Sequence, residues 1–288
     1  MITLKAHAKI NLGLRITGKL PNGYHQIHSL FLPIPDVYDS LTFETNEHEL
    51  KFLSDDTLGI APEYNLVMKA ANALRTFLDI QKGAKISLSK NIPSGAGLGG
   101  GSSDAACTLR GLATLWGIEV GSNDLRALGL SLGSDVPFFL QDNPAIIEGQ
   151  GEIIHPLDLL VNGWLILVMP NIHVSTPWAY GQITSFAPEN FSRFDTAIKN
   201  GVLDLHSRIF VNDFEQPVFD TYPQLMEIKQ QLLRHGADIA LMSGSGSTMY
   251  GIFSDREQAL EAMSTMKEHR CIMTSLNSLQ SPKFSDKQ

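Results

Sequence analysis

The chain has 288 residues, 43% hydrophobic and 18% charged, which is apolar enough for a sizeable core and excludes wholesale disorder. Thirty Asp and Glu against 22 Lys and Arg give a net charge of −8, which argues against a binder of nucleic acid held by neutralised phosphates. A small phosphorylated ligand in a local pocket is still compatible with that charge. Cys107 and Cys271 lie far apart and form no CxxC pair, so a disulfide framework or Cys-based zinc site is not expected, and a reducing compartment fits.

Residues 1–9 are charged and alternating, without the apolar core of a signal peptide. The most apolar stretch, 164–170, is too short to span a bilayer. The expectation is a soluble, cytoplasmic protein without a membrane, nucleic-acid or obligatory protein partner. At roughly 150 residues per domain the length predicts two domains.

Alternation predicts strands over 2–8 and 10–16. The turn Pro21-Asn22-Gly23 separates them from strands at 27–34, 39–45 and 50–53. Helical spacing of Leu66, Ala70, Leu74 and Phe77 predicts a helix over 65–78 with Asn65 as N-cap, followed by a strand at 84–88. After a glycine-rich stretch, a helix is predicted from Ser102 as N-cap, with Asp104 in its first turn and Gly117 as its stop. A second helix starts near Ser122 or Asn123 and runs to about residue 132. Strands follow at 145–147, 152–154 and 164–169, with a domain boundary placed in 156–163, so that the domains are 1–155 and 156–288. Helices are predicted at 177–183, 217–220, 225–235 and 256–269, strands at 239–242, 248–253 and 272–276, and a frayed tail over 280–288. Strands and helices interleave without a regular βα rhythm, so the class is α+β.

The most informative segment is Pro93-Ser94-Gly95-Ala96-Gly97-Leu98-Gly99-Gly100-Gly101-Ser102-Ser103. Its five glycines in seven positions allow positive φ and close backbone approach. A helix that starts there turns its unpaired N–H groups and positive dipole end toward whatever the loop encloses, which suits the phosphates of a nucleotide. The Walker pattern fails because the loop holds no lysine, and no HRD or DFG occurs. Gly95, Gly97 and Gly100 match GxGxxG, but Asn91-Ile92-Pro93 intervenes where a dinucleotide fold runs straight from strand into turn. GxSxG fails at Ser245, and the HxxH spacing of His25 and His28 lacks an acidic third ligand.

This loop resembles the ATP-binding motif of the GHMP small-molecule kinases, in a variant with three consecutive glycines. Ala8-Lys9-Ile10-Asn11-Leu12 is similar to the family's N-terminal motif, and Leu241-Met242-Ser243-Gly244-Ser245-Gly246-Ser247-Thr248 to its C-terminal glycine motif. Gly23-Tyr24-His25, Gly133-Ser134-Asp135-Val136-Pro137-Phe138-Phe139, Glu148-Gly149-Gln150-Gly151-Glu152 and Asn212-Asp213-Phe214-Glu215 resemble the members that act on a cytidyl substrate. The resemblance implies ATP-dependent phosphorylation of the 2-hydroxyl of 4-diphosphocytidyl-2-C-methyl-D-erythritol. It implies a two-domain GHMP kinase fold, with an N-terminal domain like domain 2 of ribosomal protein S5 and a ferredoxin-like C-terminal domain. Another kinase of the family, acting on homoserine, mevalonate or a sugar, or a silent nucleotide-binding protein, are the alternatives.

By the same resemblance Asp135 is the base and Lys9 its partner, although by pattern alone Asp135 reads as a turn residue and Lys9 as a lysine that snorkels to water. Residues Pro93, Ser94, Gly95, Ala96, Gly97, Leu98, Gly99, Gly100, Gly101, Ser102 and Ser103 would hold ATP. Asn65 would lie at the adenine and Lys90 at ribose or phosphate, with a solvated strand-end lysine the other reading of Lys90. Asn11, Thr176, Gly244 and Ser245 would contact substrate. Tyr24 and Tyr180 would stack on cytosine and His25 would read its edge; helix-face packing is the other reading of Tyr180. Mg²⁺ would accompany ATP; its protein ligands are left open, with Ser102 one candidate beside phosphate oxygens and water.

Overall fold

The structure is a computed structural model that describes residues 1–55, 61–141 and 143–278. Two long strands, β1 (Ile2–Lys19) and β2 (His25–Asn46), form the backbone of the first sheet. They pair antiparallel along nearly their whole length around the turn at Gly23. The sequence suggests four shorter strands here, because the register shifts at His7/Ala8, Asn11/Leu14 and Ile16/Gly18 break the alternation. The other edge of β2 is divided. Its N-terminal part pairs with β5 (Ala145–Gly149), and its C-terminal part with β4 (Gly83–Ser89), beyond which lies β3 (Leu50–Ser54); β6 (Ile153–Pro156) closes the far side.

Two helices pack on this sheet and a third packs on them. In α1 (Leu66–Phe77), Asn65 is the N-cap as expected, accepting the Val67 N–H at 2.9 Å. Helix α2 (Gly100–Trp116) starts three residues earlier than the Ser102 cap reading, with Gly99 as N-cap at φ 72°, and Asp104 therefore sits in its second turn. A glycine in the left-handed region turns the chain into the helix without any side-chain cap, so the serine signal is not used. Helix α3 (Ser122–Leu132) follows.

The second half carries an antiparallel sheet of β7 (Trp164–Met169), β10 (Ile239–Met242), β11 (Met249–Phe253) and β12 (Arg270–Ser275) in the order β10-β11-β7-β12. Between β7 and β10 come α4 (Thr176–Gly181), a two-residue hairpin of β8 (Ile198–Lys199) and β9 (Val202–Leu203), α5 (Glu215–Thr221) and α6 (Pro223–Arg234). Helix α7 (Arg256–Ser264) joins β11 to β12 and stops five residues short of the expected His269, where the chain turns at Met266 to His269. This βαββαβ order is the ferredoxin-like arrangement. The hairpin escapes the sequence because two-residue strands carry no period, and the expected frayed tail lies outside the described residues.

The two sheets share a core. Ile10, Leu12, Leu30 and Leu32 of the first pack in one buried cluster with Leu165, Leu167, Leu241 and Tyr250 of the second. Among the described residues no helix is long and apolar enough to cross a membrane. Helix α2 lies so close to the first sheet that a Cβ at Gly111 would come 2.3 Å from the Phe43 ring. In an exposed helix, Gly→Ala gains about 1 kcal/mol. Here Gly111→Ala is expected instead to lower stability by about 1–2 kcal/mol through overpacking, read as a lower urea midpoint at unchanged slope.

Candidate active site

A cleft of about 370 Å³ opens where the glycine loop, β1, the segment at Asp135, α4 and the C-terminal glycine motif meet. On β1, Lys9 is 3% exposed, and its backbone N–H donates to Leu98 O at 3.0 Å, tying the strand to the loop. A buried ammonium needs partners. Lys9 Nζ donates to Asn11 Oδ1 at 2.5 Å, lies 3.6 Å from Asp135 Oδ2 and sits 4.3 Å from the centre of the Phe31 ring. Burial pulls its pKa below the ordinary lysine value, and the Asp135 carboxylate partly restores it. The two residues expected to do chemistry are thus brought together, Asp135 being the more open at 31% exposure.

Asn11 is the hinge of a wider network. Its Nδ2 donates to Ser29 Oγ at 3.0 Å, and Ser29 in turn donates to Gly13 O at 2.6 Å. Its carbonyl accepts from Tyr250 OH at 2.7 Å. Ser243 Oγ accepts the Asn11 N–H at 3.3 Å and donates to Gly97 O at 2.8 Å, so one hydroxyl joins β1, the glycine loop and the C-terminal motif. Asn212 holds that motif from the other side, donating to Met242 O at 2.7 Å and Gly244 O at 2.8 Å. Glu215 accepts the Met242 N–H at 2.9 Å.

Within the loop, Pro93, Gly95, Ala96, Gly97, Gly99, Gly100, Gly101 and Ser102 line the cleft; Leu98 and Ser103 are buried in the protein and Ser94 is exposed. The first intrahelical bond of α2 is Ser103 N–H to Gly99 O, so the N–H groups of Gly100, Gly101 and Ser102 have no partner within the helix. With the helix dipole they make an anion-binding end on the cleft wall.

Asn11, Thr176, Tyr180, Gly244 and Ser245 also line the cleft, and Thr176 Oγ1 is 2.8 Å from Ser245 Oγ. The aromatic group is arranged differently from the expected pairing. His25 stacks on Tyr180 with centroids 4.9 Å apart, while Tyr24 is 64% exposed and makes no ring contact with either. Burial, and then the charge of Asp135, raises the Tyr180 pKa to about 12, so the phenol keeps its proton. Burial first and Lys19 second lower the His25 pKa, favouring a neutral ring. Lys90 does not line the cleft; its ammonium is held by Asp39 and Asp104. Asn65 spends its Oδ1 on the helix cap.

The sequence reading does not single out Phe31, Ser29, Ser243 or Tyr250. Each sits in a strand or motif where its residue type is ordinary, and only the meeting of the two sheets shows what it touches. Asn212 and Glu215 carried a signal, since both lie in the Asn212-Asp213-Phe214-Glu215 segment on which the family resemblance partly rests.

Comparison with known proteins shows the family of the chain. The GHMP kinases N terminal domain matches residues 65–143, and the GHMP kinases C terminal domain matches residues 195–269. The chain belongs to the GHMP kinases. It is 43% identical over 277 residues to a 4-diphosphocytidyl-2-C-methyl-D-erythritol kinase of Chlorobium phaeobacteroides, covering 93% of this chain and 94% of that one. A relative of the same description from Prosthecochloris aestuarii is 42% identical, covering 91% and 94%. A crystal structure of 4-(cytidine 5'-diphospho)-2C-methyl-D-erythritol kinase superposes with a TM-score of 0.81 at 34% identity, covering 94% of this chain and 98% of the other. As a GHMP kinase, the chain has the two-domain α+β fold expected from its sequence.

At Gly97 the φ is +78° and a Cβ would fall 2.0 Å from Ser243 O. Left-handed strain alone costs about 1–3 kcal/mol in a non-glycine residue. Gly97→Ala is therefore expected to displace the loop and weaken nucleotide binding by roughly tenfold or more, as measured by calorimetric titration.

Proposed function

We propose that this GHMP kinase transfers the γ-phosphoryl group of ATP to the 2-hydroxyl of 4-diphosphocytidyl-2-C-methyl-D-erythritol, a step of non-mevalonate isoprenoid precursor synthesis. The observation that carries the reading is the Lys9–Asp135 pair, 3.6 Å apart on the wall of a cleft whose other wall is the glycine loop. The 42–43% identity to kinases of that description across most of the chain supports the acceptor.

In this reading Asp135 takes the proton of the 2-hydroxyl as that oxygen attacks the γ-phosphorus, and the bond from phosphorus to the bridging oxygen breaks to release ADP. Lys9 orients Asp135 and offsets charge on the transferring group. Asn11 fixes the Lys9 ammonium through its short hydrogen bond. The free N–H groups at the start of α2 hold the phosphates, and Gly244, Ser245 and Thr176 close over the acceptor. Cytosine lies against Tyr180 with His25 turned to its edge and Tyr24 brought over the opposite face. This requires the His25 ring to leave its present stack, since 4.9 Å leaves no room for a base between the two rings.

Mg²⁺ enters with the nucleotide as Mg·ATP. Among the described residues no three His, Cys, Asp or Glu groups gather as a metal site, which does not fit a metal held by the protein alone. The division into domains at residue 155 belongs to the same proposal and is supported by the hydrogen bonding. The first sheet takes its strands from residues up to Pro156, one past that division, and the four-stranded sheet takes its strands from Trp164 onward.

The deciding experiment measures ADP release with Mg·ATP and, in turn, 4-diphosphocytidyl-2-C-methyl-D-erythritol, its cytidine-free polyol, homoserine and mevalonate. Turnover with the first alone is expected, and turnover with another acceptor instead would overturn the substrate assignment. Asp135→Asn is expected to lower kcat by about 10²–10⁴-fold with KM values little changed. A variant turning over at the normal rate would remove Asp135 from the mechanism.

A further inference from the structure

Behind the cleft wall lie three charged side chains that the phosphoryl transfer does not use. Asp39 on β2 is 0% exposed, Asp104 on α2 is 3% exposed, and Lys90 follows β4. Lys90 Nζ is 2.5 Å from Asp39 Oδ2 and 2.9 Å from Asp104 Oδ2. Asp39 Oδ1 accepts the N–H groups of Asn91 at 2.6 Å and Ile92 at 2.7 Å, so this carboxylate shapes the entry to the glycine loop. The cluster abuts the first residue of α2, for a Cβ at Gly100 would stand 3.1 Å from Lys90 Nζ.

The charges do not balance. Two buried carboxylates share one ammonium, leaving one excess negative charge directly behind the helix end that faces the cleft. Asp39 is fully engaged, by two backbone donors and by Lys90. Asp104 is not, since its Oδ1 is buried with no hydrogen-bond partner among the described residues. Asp104 is thus the member that gains most from carrying a proton, which removes the excess charge and the orphaned anionic oxygen together.

We propose that nucleotide binding is coupled to uptake of a proton by the Asp39–Lys90–Asp104 cluster, with Asp104 as the residue protonated and as a positioning residue for the glycine loop. The inference rests on the reading of that loop as the triphosphate site. Phosphates arriving at the start of α2 add negative charge about one helical turn from Asp104, and protonation of Asp104 relieves the repulsion. The group is poised for this. Burial, the largest cause, with the charge of Asp39 raises the Asp104 pKa to about 7 against the opposing pull of Lys90. Among the described residues the charged groups facing Asp104 are Lys90, from the end of β4, and Asp39, from β2. The sign follows from linkage. A group whose pKa rises on binding takes up protons, so affinity falls as pH rises through the pKa of the free protein.

The test titrates Mg·ADP, whose phosphates are already deprotonated, into the full chain by calorimetry at pH 7.5, in HEPES and in Tris. The difference in heat between these buffers of unlike ionisation enthalpy counts the protons taken up. An uptake on the order of half a proton is expected, with affinity weakening about threefold per pH unit around pH 7.5. Asp104→Asn, which keeps the shape of the protonated acid, is expected to lose that uptake and to bind with nearly pH-independent affinity. Equal proton uptake in wild type and Asp104→Asn, or none in wild type, would overturn the coupling while leaving the nucleotide site standing. Absence of any Mg·ADP binding would remove the nucleotide reading and the coupling with it. The pH dependence of wild-type affinity needs no variant and stands as a check should Asp104→Asn fold poorly.

Discussion

The arrangement depends on a single buried charge. Lys9 projects from the middle of a strand into the protein, and an ammonium withdrawn from water is tolerable only when paired and hydrogen-bonded. Asp135, Asn11 and the face of the Phe31 ring meet that need from three directions. Each partner is then fixed in turn. Asn11 is held by Ser29, Ser243 and Tyr250, and through Ser243 the same framework reaches the glycine loop. The cost of burying one lysine is offset by a network that sets the geometry of the whole cleft.

Backbone proximity is the second constraint. The glycine loop and the C-terminal glycine motif come together so closely that no side chain fits between Gly97 and Ser243 O. Thr248 N–H also donates to Ala96 O at 3.2 Å across the junction. Glycine in both motifs thus lets two parts of the chain lock, for a Cβ at Gly244 would in turn stand 3.4 Å from Gly97 O. Asn212 and Glu215 grip the C-terminal motif from behind, while Phe214 of the same segment lines the cleft.

Much of the fold was legible because it follows from local chemistry. The helix cap at Asn65, the strands at 84–88, 164–169 and 239–242, and the anion-binding character of the loop each come from residues close in sequence. Legibility failed where tertiary pairing overrode the pattern. The bulges that let β1 and β2 run unbroken interrupt the alternation by which strands are read. A left-handed glycine started α2 where a serine signalled the cap. Among the candidate residues, the cleft gathered Lys9, Asn11, Asp135, Thr176, Tyr180, Gly244, Ser245 and most of the loop. Lys90 was instead drawn behind the loop by two carboxylates, one of them 51 positions away on β2.

The sequence by itself determined the class of the protein, through three motifs whose residue types and order suit phosphate binding and proton transfer. Such signals are local, set by backbone freedom, helix ends and side-chain chemistry. Partnership was decided only by the tertiary structure. Whether Lys9 meets Asp135, whether His25 or Tyr24 lies on Tyr180, and whether Lys90 faces the cleft or two buried aspartates all depend on how the sheets meet. Electrostatic and packing energies depend on distances between residues remote in the chain, and no spacing along the sequence encodes them.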